Sequence, residues 1–236
     1  MLSNNFWKKY FEVYDYLNEL MPYQEVLSSI IEKLEVKSGD KIFDAGSGTG
    51  NLAHKLHQLG AEVVGLDNSE VGVQIHKKKI PEANVFIGDL TKPLPFKDLQ
   101  FDKVCSNNTI YTLPKSARSF LFKELNRVLK PGGIIVVSNI KEGFNPTYIY
   151  ISHINREIEI NGIIKSIIKV VKMSIPTIKI FYYNYLIKKE NNSGSYDFMK
   201  ENEQKELLKE SGFEKISDNQ LVYSNQAVLN KAYKKL

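Results

Sequence analysis

The stretch 41–53, KIFDAGSGTGNLA, constrains this chain most: Gly46, Gly48 and Gly50 stand at alternate positions between a short apolar run and a helix-like segment. Glycine is needed where the backbone turns with positive φ or where another group lies close against it. A strand that gives way to a helix through such a turn leaves the helix amino end, with its free N–H groups, facing a polar or anionic partner. From about Tyr23 to Ile140 the sequence alternates helix and strand patterns with short joins, which predicts a parallel sheet.

The spacing predicts a helix over 22–34, with Val26, Ile30, Ile31 and Leu34 on one face, then a strand over 41–44 and a helix over 51–59. A second strand, AEVVGLD, ends at Asp67. Ser69 is placed to cap the next helix, which runs into Lys77, Lys78 and Lys79. NVFIGD reads as a third strand, 101–106 as a fourth and GIIVVSNI as a fifth; the helix before the fifth stops at Pro131 and its glycines. The order is that of a doubly wound α/β fold, Rossmann-like with helices on both faces, whose ligands sit at the carboxyl ends of the strands. Over 143–195 isoleucine, tyrosine and lysine replace this grammar, marking an insertion. A helix closed by Gly212 and two further strands complete the chain over 196–236.

A length of 236 residues suits one domain with an elaboration. The organisation expected is a single domain over 1–236, with a core at 22–142. An apolar fraction of 42% with 25% charged residues excludes disordered and collagen-like classes. The net charge of +5 permits contact with anionic partners. No apolar run follows the first charges, so a cytoplasmic address is expected, with a membrane-peripheral one if the insertion binds lipid. Cys105 is the one cysteine, which excludes an intrachain disulfide and a cysteine-rich zinc site; its setting, FDKVCSN, is that of a buried strand residue. The four histidines have no metal-binding spacing, so no metal is expected, and no Gly-x-Ser-x-Gly elbow supports a hydrolase.

A dinucleotide fingerprint requires Gly-x-Gly-x-x-Gly, and Asn51 stands where its third glycine belongs. The pattern Asp-x-Gly-x-Gly-x-Gly instead resembles the class I methyltransferases that use S-adenosylmethionine (SAM). That resemblance runs in order through most of the chain. It implies a seven-stranded sheet, SAM as cofactor and S-adenosylhomocysteine as product. It further implies that Gly46, Gly48 and Gly50 make room for the methionyl and ribose portion while Asp44 helps hold the amino end. Asp67 would bind both ribose hydroxyls, since a carboxylate accepts two hydrogen bonds at once. Asn68 would lie against the adenine, Asp89 would accept from its amino group, and Leu90 would contribute backbone beside it. Ser106 and Asn107 would meet the methionine end. The competing readings are an NAD(P)-dependent oxidoreductase and a non-enzymatic membrane-surface protein.

The sulfonium methyl is already activated, so no universal catalytic residue is expected, but a base helps where the acceptor begins as a hydroxyl or acidic carbon. His153, in the insertion that should cover the substrate, and Tyr111, just after the fourth strand, are the candidates; His54, His57 and His76 are expected at the surface. Between Asn145 and Glu190 the chain carries seven cations against three acids, and Lys165, Lys169 and Lys172 recur on one helical face before Pro176 breaks it. This predicts a helical lid whose lysines face water, or a basic amphipathic helix making peripheral membrane contact through 143–190. Lysines interrupt every apolar run too early for a spanning helix.

The ends of the chain, YDYLNELM and MKENEQKELLKESGFEKI, are similar to those of ubiquinone and menaquinone C-methyltransferases, although SNNTIYTLP stands where that group carries an Arg-Asn pair. A small-molecule acceptor is implied, with apolar quinone- or lipid-like compounds among the candidates. Nucleic acid is not expected, for want of an RNA-binding module or a basic-aromatic patch outside the lid.

Overall fold

The computed structural model describes residues 4–192 and 198–236; the expected lid boundary near 195 lies outside the described residues. Five strands, β1 (Lys41–Ala45), β2 (Glu62–Asp67), β3 (Asn84–Ile87), β4 (Phe101–Asn107) and β5 (Leu129–Ile140), pair in parallel in the order β3-β2-β1-β4-β5. β8 (Ala227–Lys234) runs antiparallel beside β5, and both β6 (Phe213–Glu214) and β7 (Gln220–Val222) pair with β8. The sheet therefore has eight strands where seven were expected. Lys215, at φ 49° in the left-handed region, breaks the 213–222 segment into two short pieces.

Side-chain alternation builds two cores from one sheet. Ile42, Ile134 and Val136 face one layer with α2 (Met21–Leu34), while Phe43, Ile135 and Val137 face the other with α5 (Lys115–Val128). Helices α3 (Asn51–Gln58) and α4 (Glu70–Lys79) follow β1 and β2, and the Ser69 hydroxyl caps α4 by accepting from Gly72 N–H at 3.2 Å. An amide network knits the last elements together. Gln204, on α7 (Glu203–Glu210), donates to Val137 O, Val228 O and Asn230 Oδ1 and accepts from Asn139 Nδ2.

Two helices outside the alternating pattern cover the carboxyl end of the sheet. The first, α1 (Asn4–Tyr14), carries Phe6, Trp7, Tyr10, Phe11 and Tyr14, an aromatic stripe at helical spacing. The second, α6 (Pro146–Asn192), is the insertion, and it docks through Phe6–Tyr183 edge-to-face contact at 5.5 Å and an Arg156–Glu25 ion pair. Its break falls at Gly162 (φ 74°, ψ 165°), and the helix runs on through Pro176, where the break was expected. Proline there removes the hydrogen bond to the carbonyl of Lys172, a residue on the solvent side, where water can replace it. Ser166, Met173, Ile180 and Ile187 are buried against the protein, but most of the isoleucines of α6 face outward, contrary to a lid that turns only its lysines to water.

Candidate functional site

A cavity of about 450 Å³ opens at the carboxyl ends of β1, β2 and β4, beneath α1 and α6. Its floor is polar: Asp44, the turn Gly46–Thr49, Asp67, Asn68, Asp89, Asn107 and Asn108. Its other wall is aromatic and aliphatic, from Trp7, Tyr10, Phe11 and Tyr14 of α1, with Tyr23, Ile140, Phe144, Ile187 and Tyr223.

The glycine turn has its own physical reasons. All three glycines have positive φ, and a Cβ on Gly46 would fall 2.2 Å from Thr109 Cγ2, while one on Gly50 would fall 2.5 Å from the His76 ring. The space a Cβ would need at these two is filled by protein side chains; at Gly48, whose Cβ would meet Phe11 at an ordinary 3.5 Å, it is not. Within the turn itself most N–H groups are taken. Gly46 and Ser47 N–H donate to Leu66 O, Gly50 N–H to Ser47 O, and Gly48 N–H to Asp67 Oδ2 at 2.9 Å. Thr49 Oγ1 donates to Asp15 Oδ1 at 2.7 Å, tying the turn to the segment that follows α1.

What this floor presents is negative charge. Asp44, Asp67 and Asp89 line the cavity, and no lysine or arginine does among the described residues. Burial pushes the Asp44 carboxyl up to about 7; a contact from Cys105 Sγ at 3.6 Å works against that, and the Asp67 charge adds to it. Burial likewise raises Asp67, opposed by the N–H groups of Ser69 and Gly48. Asp89 is exposed and accepts from Thr91 N–H and Oγ1 at 2.8 and 2.7 Å. Four buried polar atoms on this wall have no hydrogen-bond partner: Asp44 Oδ2, Ser47 Oγ, Asn107 Oδ1 and Asn108 Oδ1. Buried polar atoms are normally paired, so their clustering in one cavity marks a polar ligand site.

The aromatic wall is uncharged. Burial above all drives the phenols of Tyr10, Tyr14, Tyr23 and Tyr223 upward, so all four stay protonated.

The structure brings Asp44, Gly46, Gly48, Asp67, Asn68, Asp89, Asn107 and Tyr111 to the cavity wall. Gly50, Leu90 and Ser106 lie behind it: Leu90 is buried, and Ser106 Oγ donates to Ala45 O at 2.8 Å, joining β4 to β1. His153 is not on the wall. It is buried against α2, where its Nδ1 accepts from Met21 N–H at 3.4 Å. His76, expected at the surface, is buried beneath Gly50, and desolvation lowers its pKa to about 4. Tyr111 is fixed through its backbone, its N–H donating to Asn139 Oδ1 and its carbonyl accepting from Arg118 Nη2 at 3.1 Å. The α1 aromatics were not foreseen as site residues, though their spacing was the available signal. Tyr223 gave none, because it arrives on a turn distant in sequence.

Residues 43–137 match the family described as Methyltransferase domain. The chain is 31% identical over 144 residues to the demethylmenaquinone methyltransferase of Staphylococcus saprophyticus, covering 57% of this chain and 60% of that one. To the enzyme of the same name from Staphylococcus haemolyticus it is 28% identical over 214 residues, covering 86% and 82%. The chain spans about half the length of other curated relatives it matches, 51% and 54% in two uncharacterised methyltransferases. Its fold superposes on a chain from the complex between the Haloferax volcanii Trm112 methyltransferase activator and a methyltransferase, with a TM-score of 0.66, 15% identity and 100% of both chains covered. Residues 43–137 thus match a methyltransferase domain, and the fold is the one that the resemblance to class I SAM-dependent methyltransferases implies. Within that class the named relatives above are demethylmenaquinone methyltransferases.

Proposed function

We propose that the chain binds SAM on the polar floor of the cavity and transfers its methyl group to a small, largely apolar acceptor held against the aromatic wall. The observation that carries this reading is the acidic character of the floor: three aspartates, no cation among the described residues, and a glycine turn whose N–H groups are mostly taken. The pyrophosphate of a dinucleotide would meet repulsion there, whereas a ligand bearing an ammonium and a sulfonium is complemented. The residues fit SAM: the unpartnered Oδ2 of Asp44 suits the ammonium, Asp67 the ribose hydroxyls, and Asn68 and Asp89 the adenine. SAM supplies a methyl on sulfur already activated for displacement. The chain's part is to orient the acceptor and exclude water, tasks that suit the buried tyrosines of the wall; Tyr111 stands closest in sequence to the polar floor at Asn107 and Asn108. The names of the relatives support an apolar ring as acceptor.

The Asp44 carboxyl makes binding pH-dependent. Its folded pKa lies above the ordinary 3.8, so the stability it contributes to the free protein is present at low pH and is lost as pH rises from about 4 through about 7. An ammonium ligand requires the ionised form, so SAM affinity should rise about tenfold per pH unit between pH 5 and 7 and level off above. Asp44→Asn should bind SAM more weakly and flatten that slope in calorimetric titrations; an unchanged slope would remove Asp44 from the ammonium site.

The acceptor class is tested by incubating the protein with methyl-labelled SAM and an extract of the source cells, then separating organic-soluble, water-soluble and macromolecular fractions. Label is expected in the organic phase. Label only in water-soluble material would overturn the apolar acceptor, and failure of SAM to bind by titration would overturn the function itself. NAD raising the melting temperature where SAM does not would favour an oxidoreductase.

A further inference from the structure

We propose that the outward face of α6 docks in the plane of an anionic lipid surface. Past the Gly162 break, one stripe of the helix faces the protein through Ser166, Met173, Ile180 and Ile187. The opposite stripe is apolar and bare: Ile164 is 76% exposed, Ile175 and Ile178 each 68%, and Val171 65%. Isolated exposed isoleucines are ordinary; a continuous row along several turns of one helix is not, and such patches mark contact surfaces.

Charge selects the occupant. Lys165, Lys172 and Lys179, all exposed, recur every second turn and so form a row along one edge of the apolar stripe. From Ile160 to Lys189 the sequence contains no aspartate or glutamate. A second copy of this chain seated on the stripe would bring the same acid-free, lysine-edged helix and leave those cations uncompensated. Anionic headgroups supply the missing countercharge while the acyl boundary receives the isoleucines, which is how amphipathic helices lie in an interface. Tyr182 and Tyr185, both exposed, have the amphipathic rings that settle at such a boundary. No helix among the described residues is long and apolar enough to cross a membrane, so contact is in the plane.

The same helix forms part of the cavity wall through Asn184 and Ile187. Docking would thus set the aromatic pocket beside the lipid, a source for an apolar acceptor; this last consequence rests on the function proposed above, while the docking rests on α6 alone.

The test is flotation of the full chain with phosphatidylcholine vesicles, with and without phosphatidylglycerol, alongside SAM titration of each variant. The protein should float with the anionic vesicles only and be released by salt. Replacing Lys165, Lys172 and Lys179 together by alanine should weaken partitioning about a hundredfold, taking each lysine as worth about fivefold. Ile164→Glu with Ile175→Glu should abolish it, and both variants should keep their SAM affinity because neither stripe touches the cavity floor. No flotation, equal flotation on neutral vesicles, or a soluble dimer that the glutamate variant dissolves would each overturn the docking. Flotation without SAM affinity would sustain the docking and sink the methyltransferase reading instead.

Discussion

Asp67→Ala is expected to weaken SAM binding by about a hundredfold. The carboxylate ends β2 on the cavity floor, 8% exposed, and would accept hydrogen bonds from two ribose hydroxyls. Bonds to a charged acceptor contribute about 1.5 kcal/mol or more each, so losing two costs roughly 3 kcal/mol. The substitution also removes two internal bonds, from Gly48 and Ser69 N–H, and leaves the buried Gly48 donor unpaired. Alanine therefore costs stability as well, on the order of 1–3 kcal/mol. Asp67→Asn separates the two effects, since it keeps the size and one acceptor oxygen while removing the charge. It should keep one of the two internal bonds, lose less stability than alanine, and still bind SAM more than tenfold more weakly. Calorimetric titration paired with a melting curve reads both quantities. Unchanged SAM affinity in a folded Asp67→Ala protein would take the ribose away from β2.

The parallel core was legible because it obeys local rules. Glycines mark the βα turn, Ser69 caps its helix and Gly212 has the positive φ expected of a helix stop. The acidic residues at strand ends could be found for the same reason: in a parallel sheet the strand termini converge on one edge. Legibility failed where tertiary neighbours decide. Gly46 and Gly50 were read as clearance for a ligand, but Thr109 and His76 occupy the space beside them, and neither residue is near in sequence. His153 falls in the covering helix as expected, yet its rotation about the helix axis turns the ring toward Met21 rather than the cavity. The inner stripe of α6 was equally hidden, because isoleucine occurs on every side of that helix and periodicity then carries little information.

The largest stability effect is expected from the Arg118–Glu203 pair. Arg118 is 0% exposed, and its guanidinium donates to Glu203 Oε1 at 2.6 Å, to Tyr111 O at 3.1 Å and to Leu113 O at 3.3 Å. One side chain thus joins α5 to α7 and secures the loop that carries Tyr111, Thr112 and Leu113 along the cavity wall. Arg118→Ala would leave a carboxylate of low exposure without this partner, two loop carbonyls without their donor, and an unfilled volume. Breaking a buried pair from one side costs roughly 3–5 kcal/mol, a substantial fraction of the roughly 5–15 kcal/mol that holds a typical domain. Denaturant unfolding should show a loss of that order, and partial folding of the variant would appear as a changed m-value. Replacing both partners, Arg118→Met with Glu203→Leu, should recover a large part of it, because a hydrophobic pair of similar volume carries no desolvation penalty. The double variant still lacks the bonds to Tyr111 and Leu113, so its recovered stability should come without recovered activity: the acceptor KM should stay raised while SAM affinity returns. If activity returns with stability, Arg118 only holds the fold, and the loop finds its place without it.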